Sequence, residues 1–123
     1  MRIAVDFDGT IVEHAYPRIG KPLTDSFNTL IKLNNAGHKL ILWTYRHGEL
    51  LQEAVDFCAA NGVHFYAVNA NEPQEKWKEG HSRLIHADVF IDDRNVGGLY
   101  AWNQIEKIIS NHQTTQLKQR FSD

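Results

Sequence analysis

The chain has 123 residues, 42% hydrophobic and 23% charged, with a formal net charge of −2. That length fits one domain with a real core and leaves little room for a second. The charge gives no reason to expect a general nucleic-acid or membrane-surface binder, and no apolar run reaches the length needed to span a bilayer. The single cysteine, Cys58, cannot form an internal disulfide. It lies in an apolar helical pattern, which predicts a buried structural thiol. The N-terminus has no signal-peptide pattern, so an intracellular, cytoplasmic location is expected.

Met1 to Val5 is a short apolar β-type run that breaks into Asp6-Phe7-Asp8-Gly9-Thr10. A buried strand ending in Asp-x-Asp presents two acidic side chains at the carboxyl edge of a sheet, where open α/β sheets bind ligands. Carboxylates held that close repel each other, which raises one pKa or recruits a cation. A hard divalent ion such as Mg²⁺ suits such oxygen ligands. Asp-Gly is also ordinary turn chemistry, so a mere turn cap is the competing reading. Residues 12–22 form a loop broken by Pro17, Gly20 and Pro22, from which Glu13, His14, Tyr16 and Arg18 either reach over the site or face solvent.

Thr24 or Asp25 reads as the N-cap of a helix with Phe27, Leu30, Ile31 and Leu33 mostly on one face and Gly37 as its stop. His38 to Thr44 reads as a second strand, buried on both faces because Leu40 to Trp43 are consecutively apolar. Glu49 to Asn61 carries Leu50, Leu51, Ala54, Val55 and Cys58 at helical spacing, closed by Gly62. Phe65 to Asn69 is a third strand and Ala87 to Ile91 a fourth, which ends in Asp92-Asp93-Arg94. Leu99 to Ile109 reads as a last helix. Residues 1–112 thus form one domain and 113–123 a polar tail that frays. Trp43 and Trp102 are expected in the core. Alternating strands and helices predict an α/β fold with right-handed crossovers and a parallel sheet.

Asp-x-Asp-Gly-Thr at residues 6–10 resembles the first motif of the haloacid-dehalogenase-like (HAD) phosphohydrolase superfamily. The resemblance covers essentially the whole chain, because a strand ending in Thr44 and then one ending in Asp92-Asp93 follow in the family's order. It implies a three-layer Rossmannoid sandwich with a mainly parallel sheet and no large cap. It further implies Asp6 as the nucleophile and Asp8 as general acid/base. Thr44 would hydrogen-bond a phosphoryl oxygen. Asp6, Asp8 (through its backbone carbonyl), Asp92 and Asp93 would hold Mg²⁺. Gly9, Thr10 and Arg46 join Thr44 as expected substrate-binding positions. The departure is in the third motif, a Lys or Arg before the acidic pair: no Lys adjoins the fourth strand, and Arg83, then Lys78 and Lys76, are the candidates.

The expected function is Mg²⁺-dependent hydrolysis of phosphate monoesters through an aspartyl-phosphate. The phosphorylated substrate is either large enough to cover the open site or is covered by a neighbouring subunit of a homo-oligomer. Two other readings compete. One is a HAD-like binding or scaffold protein without turnover. The other is a receiver-type signalling domain, against which the order of Asp-x-Asp, Thr and Asp-Asp speaks.

Overall fold

Short apolar strands between amphipathic helices can hide both their faces only by stacking in layers. The computed structural model describes residues 1–73 and 86–121, those from 112 onward as backbone only. Within them the chain runs β1 (Arg2–Val5), α1 (Ser26–Asn35), β2 (Lys39–Leu42), α2 (Gly48–Ala60), β3 (Ala67–Val68), β4 (Val89–Ile91) and α3 (Trp102–Phe121). The strands make a four-stranded, all-parallel sheet in the order β3-β2-β1-β4. With three helices among the described residues, this is an α/β fold consistent with a small Rossmann-like three-layer arrangement.

The two central strands are the most deeply buried. Ile3 and Val5 of β1 and Leu40 and Leu42 of β2 share the main core with Leu30 and Leu33 of α1, Ala54 and Cys58 of α2, and Trp102, Ile105 and Ile109 of α3. Ile41, one residue out of phase, packs on the other face with Ala67, Ala70 and Tyr66. Burial on both faces is what a central parallel strand requires. Burial also pushes the Cys58 thiol up to about 12, so it stays an inert core atom, as its helical setting predicted.

Several details differ from the sequence expectation. Trp43 lies beyond the end of β2 and is only half-buried. Asp25 is the N-cap of α1, but in left-handed backbone (φ 64°) and with no side-chain cap bond. The opening of α1 is instead tied to α3 by the buried Thr29 hydroxyl, which donates to the Trp102 carbonyl at 3.0 Å. Helix α3 begins at Trp102 rather than Leu99, after the Gly97-Gly98 turn, and continues past Ile109 to Phe121. No Gly or Pro lies between Ser110 and Phe121 to stop it. No helix of the described residues is long and apolar enough to cross a membrane.

Candidate active site

Chain order places the site. From β1 the chain moves to β2 and β3 on one side, then returns to β4 on the other. The strand order therefore reverses between β1 and β4, and open α/β sheets bind ligands beyond the carboxyl ends at that point. Val5 pairs with Ile91 in register, so the next residues, Asp6 and Asp92, leave the sheet side by side, with the Asp6 N–H donating to the Ile91 carbonyl at 3.1 Å. Asp93 completes the group: one carboxylate oxygen from each of Asp6, Asp92 and Asp93 lies within 4.8 Å of the others.

Asp6 is 6% exposed. Burial is the main reason its pKa rises to about 6; the charges of Asp92 and Asp93 push the same way, while the Phe7 N–H and Arg94 oppose them. Partial burial works to raise Asp93 as well, yet the His14 ring and hydrogen bonding with Asp92 bring it below the ordinary carboxylate range. Three hard oxygen donors, one destabilised as an anion chiefly by burial, form a set that suits a divalent cation such as Mg²⁺.

Asp8 lies elsewhere. Its side chain is fully buried and accepts both arms of the Arg46 fork, Nε at 2.8 Å and Nη2 at 2.8 Å. The remaining Arg46 donors reach main-chain carbonyls: Nη2 to Arg18, and Nη1 to Pro17 and, more loosely, to Leu50. The guanidinium is also stacked near the rings of Phe7 and Tyr16. Its five N–H groups are thus occupied in the interior. Hydrogen bonding to Asp8 accordingly raises the Arg46 pKa. Arg46, expected at the substrate, is 1% exposed with every donor occupied, and the carboxylate of Asp8, expected as the general acid/base, is bound to that guanidinium in the core.

The Gly9-Thr10 pair is structural in this arrangement. The Gly9 N–H closes the loop onto the Val12 carbonyl at 2.7 Å. The buried Thr10 hydroxyl accepts from the Asp93 N–H at 3.1 Å and faces Asp93 Oδ1 at 3.4 Å. Its carbonyl accepts from the Trp102 indole at 2.8 Å. These bonds place Asp93 from a residue far away in the chain, a positioning role where substrate contact was expected. Gly9 has a further reason to lack a side chain. Its φ is +82°, and a Cβ would lie 2.2 Å from His14 Nε2 and 2.5 Å from Asp93 Oδ2. Gly9→Ala is expected to destabilise the fold by about 1–3 kcal/mol, from left-handed strain plus displacement of His14 and Asp93. A denaturation midpoint indistinguishable from the parent's would contradict this.

Thr44 lies just beyond β2, with its N–H held by the Asn69 side chain at 2.8 Å. Its hydroxyl accepts from the Arg46 N–H at 3.2 Å and keeps its own proton to donate. Asn69, in left-handed backbone at the end of β3, was not legible as a site residue; only its place at a strand's carboxyl end marks it. The 12–22 loop is a short excursion closed by the Glu13 N–H to the Lys21 carbonyl and by an antiparallel bridge between Val12 and Pro22. From it His14 reaches Asp93 at 3.1 Å, while Tyr16 meets the Tyr45 ring edge-on, with 5.0 Å between centroids. Arg83, Lys78 and Lys76, proposed for the third motif, lie outside the described residues. Arg94, also not singled out as a site residue, stands beside the acidic triad: its Nε is 3.6 Å from Asp92, and Asp92 and Asp6 raise its pKa.

A solved structure of a conserved protein coded by a locus from Bacteroides thetaiotaomicron is similar to this chain, with 53% identity over 91% of each chain and a TM-score of 0.84. No family model and no curated protein matches the chain.

Proposed function

We propose, for a chain that belongs to the same family as the conserved Bacteroides thetaiotaomicron protein, that it is a divalent-cation-dependent phosphohydrolase acting through Asp6. The observation that carries this reading is the convergence of Asp6, Asp92 and Asp93 within 4.8 Å at the point where the strand order reverses. The motif order Asp-x-Asp, Thr, Asp-Asp supports it, as the resemblance to HAD phosphohydrolases implied.

Asp6, Asp92 and Asp93, with the Asp8 backbone carbonyl, would hold Mg²⁺. Bound there, the ion would neutralise these carboxylates toward an incoming phosphate dianion and orient it for in-line attack. The Asp6 carboxylate forms the new bond to phosphorus as the bond to the leaving oxygen breaks; water then hydrolyses the aspartyl-phosphate, releasing inorganic phosphate and restoring Asp6. Thr44 donates its hydroxyl to a phosphoryl oxygen. Asp8, held by Arg46, fixes the loop that carries Asp6, and the leaving oxygen takes its proton from water. The partner of this chemistry is a phosphorylated compound, small or macromolecular. A second copy of the chain covering the open site belongs to the same proposal, as does a cytoplasmic setting.

Hydrolysis of a generic aryl phosphate is expected to require added Mg²⁺ and to stop on chelation with EDTA. Folded protein that binds Mg²⁺ yet hydrolyses neither that ester nor a wider panel of phosphate compounds would overturn the enzymatic reading and favour the binding or scaffold one.

A further inference from the structure

A phosphate dianion entering among three carboxylates needs a cation besides the metal, and the described residues place two arginines nearby. Arg46 cannot serve, because its five donors all have partners and it is 1% exposed. Arg94 is the reverse. It follows Asp92-Asp93 directly, and its N–H donates to Asp92 Oδ1 at 3.0 Å, folding the turn back on itself. The side chain is 74% exposed, with Nε 3.6 Å from Asp92 Oδ1. Its Nη groups have no partner among the described residues. The guanidinium and the acidic group feel each other: Arg94 lowers the Asp6 pKa, and Asp92, Asp6 and Asp93 all raise that of Arg94.

An exposed arginine in so loose an ion pair contributes little to stability, and its long side chain is free to swing. Its planar fork matches two oxygens of a phosphate better than one edge of a carboxylate already shared with a metal.

We propose that Arg94 is the phosphate-gripping residue of this site, turning its free Nη groups from Asp92 onto the substrate's phosphoryl oxygens. The proposal rests on the phosphohydrolase reading and names the residue that gives it affinity for the dianion. It carries a signature that a structural role lacks, because a cation beside a metal site opposes the metal and favours the phosphate. Loss of Arg94 therefore affects the two ligands in opposite directions.

The test compares the full chain with Arg94→Ala and Arg94→Lys. It measures Mg²⁺ binding by calorimetry, inorganic phosphate binding to the Mg²⁺-loaded protein, and KM and kcat for an aryl phosphate. Arg94→Ala is expected to tighten Mg²⁺ by about two- to fivefold, the scale of an exposed charge pair. It is expected to weaken phosphate and raise KM by about ten- to a hundredfold, the scale of a lost charge-assisted hydrogen bond. Arg94→Lys is expected to restore the parent Mg²⁺ affinity and part of the phosphate affinity. Unchanged phosphate affinity in Arg94→Ala overturns the proposal, as does parallel weakening of both ligands, which would make Arg94 a support for Asp92. A parent that binds Mg²⁺ and phosphate without turnover would sink the hydrolase reading alone, and the phosphate titration would still decide for or against Arg94. A parent that binds no phosphate overturns both.

Discussion

Replacing Asp6 with Asn is expected to remove Mg²⁺-dependent turnover by at least about 10⁴-fold, the scale seen when a covalent nucleophile or its essential partner is deleted. The same change should make the metal-free protein no less stable at neutral pH. The sign follows from the pKa. Burial holds Asp6 at about 6, above its ordinary value of 3.8, so the folded chain binds this proton more tightly than the unfolded one. Between roughly pH 4 and pH 6 the native state carries the extra proton. Stability from this group is therefore present below that window and falls as pH rises through it. Above pH 6 the cost is about 1–2 kcal/mol after allowing for screening by water at the site mouth, and Asn does not incur it. Mg²⁺ competes with that proton, so the thermal stabilisation it gives the parent should grow from pH 5 to pH 7 and vanish in Asp6→Asn. Thermal melts with and without Mg²⁺ across that range check both halves. A variant that keeps the parent's Mg²⁺ response would remove Asp6 from the cation site.

Replacing Arg46 with Ala is expected to cost about 3–5 kcal/mol of folding stability, the range for breaking a buried ion pair from one side. The magnitude follows from what remains behind. Asp8 is fully buried and would lose two hydrogen bonds at 2.8 Å, leaving an uncompensated charge in the core. The carbonyls of Pro17 and Arg18 would lose the donor that ties the 12–22 loop to the segment between β2 and α2. Removing both charges in Asp8→Asn/Arg46→Met should recover part of the loss, since no orphan ion is left. Urea denaturation of the two variants beside the parent measures this. If Arg46→Ala stays within about 1 kcal/mol of the parent, the pair is not buried as described.

The residue patterns that could be read locally are those whose cause is local. The consecutive apolar residues from Leu40 to Trp43 announced a central parallel strand, and the first three of them are fully buried while Trp43 is half-buried. Asp-x-Asp after β1 and Asp-Asp after β4 announced carboxylates at strand ends, because a strand's period and a sudden run of charge are visible without a fold. Less visible were the partners of polar atoms. Arg46 reads as a free cation beside Thr44 until a loop from residues 15–18 and a carboxylate at residue 8 close around it. Thr10 reads as part of a ligand-binding motif until the indole of Trp102 and the backbone of Asp93 reach it. Those bonds span tens of residues in sequence, and nothing in either segment alone specifies the other.

By itself, the sequence determined that this is an α/β chain with strands of set polarity and with acidic residues where three of them could meet. Hydrophobic periodicity and charge placement are properties of neighbouring residues, so they need no tertiary information. The tertiary structure alone decided which carboxylates share a site. Strand order brings Asp6 to Asp92 and Asp93, while the turn of one residue between Asp6 and Asp8 sends the second carboxylate inward to Arg46. Two identical side chains two positions apart thus become one member of an acidic triad and one half of a core ion pair, because strand order sets the neighbours of the first and Arg46 closes on the second.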